Sequence, residues 1–293
     1  MSRTNKKLNW ILSIAIFIFL GLTIFLVTQI FFLKETLHQK QSTLSELTIS
    51  MNQNSLDALN QEKESLVNLD ATLVETKQAL TTATIQLEQD ILSGKSNKKI
   101  AYLTFDDGPY DKTAEYLDLL DEEHVLATFF VLKKDGYDDT YKRIVNSGHT
   151  LANHTAHHNL NSGLYSSVDN VIGQVVELET FLFELTGTKT NIFRFPGGME
   201  SSGDLFDGIS SDLHSKGYKY VDWTAMTGDG STLQLQEKDV FQWFTASIDT
   251  NIEVVLMHDY SNYTLPRLKE MVQYLKDQGY ILLPLVYESS TLS

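Results

Sequence analysis

Two adjacent carboxylates, Asp106 and Asp107, end an apolar strand-like run and are followed at once by a Gly-Pro turn. Neighbouring residues of a strand point to opposite sides, so both acids can serve one site only at the strand end, where the pleat breaks. There one carboxylate can bind a metal ion while the other acts as a base. On this stretch alone, a solvated Asp-Asp-Gly turn is an equally good interpretation.

Three histidines lie close together downstream, in the stretch 153–158 that reads Asn-His-Thr-Ala-His-His. His154 and His158 are four residues apart, so one helical turn would place both imidazoles on the same face, while the spacing of His157 points it away. With one carboxylate, the two form a three-ligand metal site that leaves positions open for water and substrate. An isolated histidine is more often a structural residue, and we keep that interpretation for His38, His124, His149 and His214.

Two further strand-like runs end in residues suited to catalysis. Arg194 lies in the run Phe-Arg-Phe-Pro-Gly-Gly and, if buried, needs a carboxylate partner, for which Asp106 is the candidate. In the same run, Gly197 leaves its backbone N–H free to approach a ligand closely, as an oxyanion donor must. His258 ends the run Val-Leu-Met-His, and histidine is the side chain best suited to donate a proton near neutral pH. The arginine pattern alone would also fit an ordinary turn.

The composition excludes several classes of site and partner. The formal net charge is −15 and the sequence pI is about 4.9, so no basic surface is available to neutralise the phosphates of a nucleic acid. The chain has no cysteine, which excludes disulfides, thiolate zinc sites and a cysteine nucleophile. Any metal ion must therefore be held by histidines and carboxylates.

The elements that position these residues follow from the pattern after Lys98, where strand-like and amphipathic helical stretches alternate. The strands are predicted at 99–105, 125–132, 149–154, 191–195, 218–224, 254–258 and 280–286. The helices are predicted near 112–123, 139–147, 168–186, 203–216, 237–249 and 265–278. This alternation predicts parallel strands, and about seven units without a Gly-rich nucleotide loop favour a barrel. Catalytic groups of a barrel gather at the C-terminal strand ends, where the two aspartates lie.

An uncharged stretch of apolar residues near the N-terminus, 8–33, is long enough to cross a bilayer as a helix, at about 1.5 Å per residue against a roughly 30 Å core. Its end, 27–33, lacks the small residues of a cleavage site. The basic residues before it favour a cytoplasmic position for residues 1–7. We therefore expect an uncleaved single-pass anchor in the cell membrane, with a removed signal peptide as the alternative.

Residues 34–92 contain no glycine, proline or aromatic residue, and leucines recur every seven positions with one skip between Met51 and Leu59. This heptad pattern predicts a long helical stalk, a coiled coil that could join two copies of the chain. A single spacer helix is the alternative. The first seam runs through Leu37, Leu44, Met51, Leu59, Leu66, Leu73, Leu80 and Leu87, and Leu47, Leu56 and Leu69 fall near the second. Residues 93–97 are predicted to be a linker, and 98–293 the globular domain.

Four ordered motifs resemble the motif set of the NodB-type polysaccharide deacetylases, carbohydrate esterase family 4. They read Thr104-Phe105-Asp106-Asp107-Gly108-Pro109, His154-x-x-x-His158, Arg194-x-Pro196 and Leu256-x-His258. The stretches 127–131 and 148–154 resemble the family as well, and the match covers roughly residues 98–288. The resemblance implies an α/β fold, a distorted (β/α)7-type barrel, that hydrolyses an N-acetyl group on a glycan.

The resemblance also implies a role for each motif residue. Asp106 is the general base, His258 is the general acid, Arg194 orients the catalytic aspartate, and Asp229 tunes or orients a catalytic partner. One divalent metal ion, zinc with cobalt or manganese as alternatives, has three implied ligands: Asp107, His154 and His158. The candidate substrate-binding residues are Gly197, Trp223 and Tyr110; without the other motifs, Trp223 would be interpreted as a core residue.

Two motifs depart from the family pattern. The third often has an aromatic residue after the proline, where this chain has Gly197. The fourth often reads Asp-x-x-Asp-Trp and aligns with residues 226–230, which read Met-Thr-Gly-Asp-Gly. Asp229 is kept and the pocket-lining tryptophan is missing. We therefore expect the chemistry to survive and the substrate pocket to differ.

Together these observations predict a membrane-anchored enzyme that works outside the cell of a Gram-positive-type bacterium. The expected reaction is metal-dependent hydrolysis of N-acetyl groups on N-acetylglucosamine, in peptidoglycan or a wall-polysaccharide linkage sugar, which releases acetate and a free amine. One alternative is O-deacetylation of a polysaccharide. Another is an inactive glycan-binding module whose coiled coil is a scaffold, although the chain retains the base, the ligands and the acid that an inactive member should lose.

Overall fold

The computed structural model of the chain describes the backbone of residues 3–47, 53–231 and 237–293. It describes the side chains of Trp10 and of residues 20–45, 57–231 and 239–293. The chain divides into two compact units, Met1–Asp90 and Ile91–Ser293. Within the described residues, the first unit is helical and the second contains every strand.

Two long helices form the first unit, α1 (Arg3–Leu47) and α2 (Gln53–Leu92, whose last turn enters the second unit). Among the described side chains, α1 contains one stretch, Leu20–Ser45, that is long and apolar enough to cross a membrane, with a mean hydropathy of 1.5. This stretch overlaps the predicted anchor at 8–33, whose first part lies largely outside the described side chains. The length and the apolar composition of this stretch are the observations that support a membrane-spanning helix.

The segment 34–92, predicted as a long helical stalk, contains parts of two helices, because α2 folds back against α1. Lys40 Nζ donates a hydrogen bond to Ser65 Oγ at 2.7 Å and lies 3.5 Å from Glu62 Oε1. In one continuous helix, Lys40 and Ser65 would be about 37 Å apart. Since Lys40 lies near the end of α1 and both partners lie near the start of α2, the two helices run antiparallel at this contact.

Two positions of the predicted first seam, Leu80 and Leu87, are buried on α2. Leu80, Ala83, Leu87 and Ile91 are buried, and their spacing places them on one face of the helix. The described side chains do not include three of the predicted seam positions, Leu47, Met51 and Leu56, and the skip after Met51 also lies outside the described residues. A coiled coil between two copies of the chain stays a prediction.

Within its described residues, the second unit contains eight strands and six α-helices. The strands are β1 (Lys99–Asp106), β2 (Thr128–Val131), β3 (Thr150–Asn153), β4 (Ile192–Phe193), β5 (Lys219–Tyr220), β6 (Ala225–Met226), β7 (Ile252–His258) and β8 (Tyr280–Leu282). The helices are α3 (Thr113–Glu122), α4 (Asp138–Asn146), α5 (Val168–Thr186), α6 (Phe206–Ser215), α7 (Glu237–Ser247) and α8 (Leu268–Asp277). The predicted alternation of strand and helix is therefore confirmed.

All strand pairs in this sheet are parallel, in the order β5-β4-β3-β2-β1-β7-β6, with β8 beside the first half of β1. Within the described residues no pairing joins β5 to β6, so the sheet is a curled half-barrel that stays open at one side. The predicted seven-unit barrel is corrected in two respects, its closure and the extra strand β6. The β6 strand was missed because two residues carry too little periodicity to be recognised.

The sheet is held by apolar burial on both of its faces. Every residue of β1 after Lys99 is buried, as expected for a central parallel strand covered by helices. Helix α8 packs through residues 268, 271, 272 and 275, which recur at the i, i+3, i+4, i+7 spacing of a helix face. The register of β1 on β7 pairs Asp106 with His258, so the packing of two core strands brings two candidate catalytic residues to the same level.

Candidate active site

The candidate residues meet at the C-terminal edge of the sheet, as a parallel arrangement requires. Asp106 ends β1, His154 follows β3, Arg194 follows β4 and His258 ends β7. Asp229 lies three residues after β6. Side chains more than 150 positions apart in sequence therefore form one cluster because all of their strands point the same way.

The two adjacent aspartates share this site because the chain leaves the strand between them. Asp107 adopts a left-handed conformation with φ of 71°, which breaks the pleat directly after β1. His154 Nε2 consequently lies 3.7 Å from Asp106 Oδ2 and 3.6 Å from Asp107 Oδ1. The strand-end geometry expected for the pair is present.

Asp107, His154 and His158 form a group that fits a metal ion. Asp107 Oδ1 lies 3.6 Å from His154 Nε2 and 3.5 Å from His158 Nε2, and the three ligand atoms all lie within 4.8 Å of one another. Tetrahedral ligands at 2.0–2.1 Å from zinc would be about 3.4 Å apart. Asp107 Oδ1 is buried and has no hydrogen-bond partner among the described residues, which a bound cation would explain.

His154 is held in the tautomer that a metal ligand needs. Its Nδ1 lies 2.8 Å from the carbonyl oxygen of Arg194, which can only accept, so Nδ1 carries the proton and Nε2 keeps its lone pair toward Asp107. Burial lowers the pKa of His154 to about 3, more than the nearby Asp107 raises it. The imidazole is therefore neutral, as metal binding requires.

His154 and His158 converge, but not through the helical turn that their spacing predicted. Residues 154–158 form an irregular loop, with left-handed φ values of 69° at Thr155 and 49° at His158. Asn153 Oδ1 accepts from the backbone N–H of Thr155, and Thr155 Oγ1 accepts from that of His158. His157 points away, as expected, and its Nε2 lies 3.4 Å from Glu177 Oε2.

Asp106 is held by the buried arginine that the sequence assigned to it. Arg194 Nη1 donates to Asp106 Oδ1 at 2.8 Å and to Thr104 Oγ1 at 2.7 Å. The guanidinium is fully buried and lies 4.1 Å from the centre of the Phe130 ring. Burial raises the pKa of Asp106 more than Arg194 lowers it. The carboxylate is therefore oriented by the arginine and remains a competent proton acceptor.

His258 is paired with the carboxylate of Asp229, whereas Asp106 is paired with a cationic side chain. Its Nδ1 lies 2.8 Å from Asp229 Oδ1, while Thr264 Oγ1 donates to Asp229 Oδ2 at 2.5 Å. Burial lowers the pKa of His258, but the hydrogen bond and charge of Asp229 outweigh it and raise the pKa to about 9. The Nε2 atom, which lies 3.9 Å from Asp107 Oδ2, is left to carry a proton toward the metal group.

The fourth motif has a different shape from the family pattern. A Cβ on Gly230 would lie 2.9 Å from His258 Nε2, so this loop has no room for the missing tryptophan side chain. Trp243 of α7 packs against Gly228 instead, where a Cβ would lie 2.8 Å from its ring, and it is 39% exposed. Sequence reasoning missed Trp243 because a tryptophan in a helix is usually interpreted as core. Met226, at the position of the motif's first aspartate, lines a shallow cavity with it.

The three candidate substrate-binding residues lie around the cluster. Gly197 is exposed with φ of 73°, and Trp223 is half-buried with its ring against Gly198. Tyr110 is 36% exposed, and its ring lies 5.1 Å from that of Tyr260. The Tyr260 ring lies 5.1 Å from the His258 imidazole, so aromatic rings extend outward from the candidate acid. Tyr260 was missed because a tyrosine two residues beyond a strand end carries no pattern.

The sequence of this chain is similar to those of known polysaccharide deacetylases. The sequence profile of the polysaccharide deacetylase family matches residues 93–228. YheN of Bacillus subtilis, itself named only by family as a polysaccharide deacetylase, is 32% identical over 191 residues, which cover 62% of this chain and 65% of that protein, slightly less than two thirds of its length. A peptidoglycan-N-acetylglucosamine deacetylase of Bacillus cereus is 30% identical over 189 residues, covering 62% and 68%.

A solved structure gives the same result for the fold. The catalytic domain of peptidoglycan N-acetylglucosamine deacetylase from Eubacterium rectale superposes with a TM-score of 0.63 at 30% identity. The superposition covers 67% of this chain and 92% of that domain. The similarity therefore extends over the strand-containing unit, and the N-terminal helices lie largely outside it.

Proposed function

This chain belongs to the polysaccharide deacetylase family, the NodB-type deacetylases of carbohydrate esterase family 4, and on that premise we propose that it removes N-acetyl groups from N-acetylglucosamine in a cell-wall glycan. The products are acetate and a free amine. The observation that carries the proposal is the pairing of Asp106 with Arg194 and of His258 with Asp229 on either side of the Asp107–His154–His158 group.

Amide hydrolysis needs three kinds of help, because an amide is a poor electrophile with a poor leaving group. A divalent metal ion held by Asp107, His154 and His158 would polarise the carbonyl group and lower the pKa of water. Asp106, aligned by Arg194, accepts a proton from the attacking water. The N–H of Gly197, which no strand or helix ladder uses, is our candidate donor to the oxyanion.

His258 completes the reaction by protonating the departing nitrogen. Its raised pKa of about 9 keeps Nε2 protonated at neutral pH, and Asp229 stabilises the charge and fixes the ring. This observation favours an amide over an O-acetyl ester, because an alkoxide or activated leaving group depends less on a proton. O-deacetylation is the alternative, and release of acetate without free amine would reveal it.

The proposed metal ion is zinc, with cobalt or manganese as alternatives. Two imidazoles and one carboxylate form a three-ligand set with open coordination positions, which is typical of catalytic zinc. The unpartnered Asp107 Oδ1 supports a cation at this place. An inactive glycan-binding module is the other alternative, and the complete set of base, ligands and acid argues against it.

The proposed substrate is a polymer, peptidoglycan or a wall-polysaccharide linkage sugar. The Bacillus cereus relative and the Eubacterium rectale structure are both named for peptidoglycan N-acetylglucosamine, which supports the wall glycan as the substrate class. Exposed rings at Tyr110 and Trp243 and the half-buried ring of Trp223 suit contact with sugar faces.

We propose that the enzyme is anchored in the membrane through the apolar stretch at 8–33, with residues 1–7 in the cytoplasm. The deacetylase domain at 98–293 then lies outside the cell of a Gram-positive-type bacterium, beyond the linker 93–97. The candidate span in α1 supports the anchor. Protease treatment of intact protoplasts should digest the catalytic domain; protection of that domain until lysis would contradict this topology.

Self-association through residues 34–92 is a separate prediction. The heptad spacing supports it, while the contact of Lys40 with Ser65 uses part of this segment within the chain. Light scattering of the detergent-solubilised chain should give the mass of two copies. A single copy at all protein concentrations would show that the segment pairs only with itself.

The direct test of the proposed reaction uses the full-length chain in detergent with three polymers side by side: purified peptidoglycan, wall polysaccharide and a chitin oligomer. Acetate release should stop when a chelator removes the metal and return on addition of zinc. Metal-dependent release from a wall polymer would identify the substrate class. Release that persists in the apoprotein would contradict metal dependence, and no release from any polymer by the zinc-loaded chain would favour the binding module.

A further inference from the structure

The turn that begins with the proposed metal ligand Asp107 is fixed by side chains from three separate parts of the fold. This turn comprises residues 107–110, with the sequence Asp-Gly-Pro-Tyr. We propose that Asp259, Thr113 and Lys134 are positioning residues that hold this turn so that Asp107 faces the two histidines. The inference rests on the proposed metal site, and it predicts that these three side chains set the affinity for the metal without touching it.

Asp259 packs directly against the backbone of the turn. It follows His258, but its side chain is fully buried on the side of Gly108 rather than in the catalytic cluster. A Cβ on Gly108 would lie 2.8 Å from Asp259 Cγ and nearer still to Oδ2, so only glycine allows this approach. At the end of β7, His258 is therefore the candidate acid, and the next residue, Asp259, packs against the turn that contains Asp107.

Thr113 connects Asp259 to the far end of the turn. Its hydroxyl, fully buried at the start of α3, donates to Asp259 Oδ2 at 2.5 Å and accepts from the backbone N–H of Tyr110 at 2.7 Å. The Thr113 hydroxyl has a single proton, which it donates to Asp259, and its oxygen is therefore free to accept from the amide of Tyr110. Two hydrogen bonds thus fix the turn relative to β7.

Lys134 contacts both the first and the last residue of the turn. Its Nζ donates to the backbone carbonyl of Asp107 at 2.8 Å and lies 3.0 Å from the centre of the Tyr110 ring. This contact bridges the first and last residues of the turn. Asp107 needs such support because a left-handed conformation is unfavourable for a residue with a Cβ, and its side chain must still face the histidines.

None of these three side chains belongs to the proposed ligand set, so their role is separable from ligation. Side chains that orient metal ligands typically contribute 10–100-fold to metal affinity. Asp259 Oδ1 is buried without a hydrogen-bond partner in the part of the chain that the structure describes. A buried oxygen without a partner lowers stability, so a fully satisfied hydrogen-bond network does not account for Asp259 at this position.

The test is the zinc affinity of the full-length chain in detergent, measured by competition with a chromophoric chelator. Asp259→Ala should weaken zinc binding by about 10–100-fold, and Thr113→Val and Lys134→Met by about 10-fold each. Thr113→Ser, which keeps the hydroxyl, should bind within about 3-fold of the parent chain. Circular dichroism and the unfolding temperature of each variant report whether it folds, and Thr113→Val and Lys134→Met carry the test if Asp259→Ala does not.

The matched control is Glu253→Ala on the same strand. Glu253 is also fully buried, but it accepts from Asp249, Thr250 and Thr224 at the opposite end of β7. This variant should lower the unfolding temperature and leave zinc affinity unchanged. Parent-like zinc affinity in the Asp259, Thr113 and Lys134 variants would overturn the inference while leaving the metal site intact. Absence of zinc binding by the parent chain itself would overturn both.

Discussion

Asp106 and His258 stand at the same level of neighbouring strands, and each is held by a buried partner of opposite charge. The consequences of the two pairings differ. At Asp106, burial outweighs the Arg194 charge and raises the pKa of the carboxyl group. At His258, the Asp229 charge outweighs burial and raises the pKa of the imidazole to about 9. Both shifts increase proton affinity, which suits the proposed roles of Asp106 as the base and His258 as the acid.

The charged partner has a different function in each of the two pairs. Arg194 has four recorded acceptors, two of them backbone carbonyls, so it mainly orients the base within the fold. Asp229 receives the His258 ring and backbone N–H and the Thr264 hydroxyl, so it mainly stabilises a charged acid. Substitutions on the two sides should therefore produce different kinetic signatures.

The largest effect is expected at the proposed metal group, because the proposed base and the proposed acid both act next to it. His154→Ala removes a neutral, correctly oriented imidazole from the metal group, so zinc retention and acetate release should be lost together. Metal content by atomic absorption and acetate release are measured on the same sample. His157→Ala is the matched control, since its ring points outward and should leave both unchanged. A His154 variant with full activity and no metal would contradict the assignment.

Asp106→Asn tests the base alone. The amide keeps the shape of the side chain but cannot accept the proton, so kcat should fall by about 10³-fold while zinc binding is retained. Steady-state kinetics and metal content distinguish this outcome from loss of the metal. Near-parental turnover by this variant would show that another group is the base.

His258→Ala tests the acid on the opposite strand. We expect kcat for an N-acetyl substrate to fall by about 10²-fold, because the departing nitrogen needs a proton. Hydrolysis of an activated acetyl ester should fall much less, since its leaving group departs as an anion. Parallel assays of the two substrates give the ratio, and equal losses on both would contradict the acid role.

Asp229→Asn should have the smallest effect on rate and a distinctive effect on pH dependence. With Asp229 present, His258 stays protonated until the pH rises through about 9, so activity should decline above that value. Removing the carboxylate charge lowers the pKa of His258, so the alkaline limb of kcat should move to lower pH by about one unit or more. An unchanged alkaline limb would mean that the Asp229 charge does not control the acid.

Much of the strand-containing unit could be predicted, because the sequence patterns that indicate its strands and candidate site residues lie within short stretches of the chain. The apolar run before Asp106 predicted the strand, and the acid pair at its end predicted the edge of the sheet where the candidate residues meet. The spacing of His154 and His158 predicted their convergence but gave the wrong reason, because two left-handed residues in a loop replaced the helical turn. Nothing in a four-residue spacing distinguishes these two geometries.

Other features could not be predicted because they depend on contacts that are distant in sequence. Asp259 meets Gly108 across about 150 positions, and Trp243 reaches Gly228 from a helix after a separate loop. The fold-back of α2 on α1 brings Lys40 to Ser65, a contact between residues 25 positions apart that a heptad pattern does not specify. The spacing of apolar residues along the chain predicts the helices and strands. The register of the strands and the partners of the side chains depend on tertiary packing, which that spacing does not specify.

The most direct test of amide hydrolysis is the ratio of free amine formed to acetate released from purified peptidoglycan by the zinc-loaded full-length chain. Hydrolysis of N-acetyl groups predicts one amine for each acetate, with both absent in Asp106→Asn. Acetate release without a matching amine would show that the enzyme cleaves esters instead. That result would contradict the central claim that Asp106 and His258 are arranged to hydrolyse an amide.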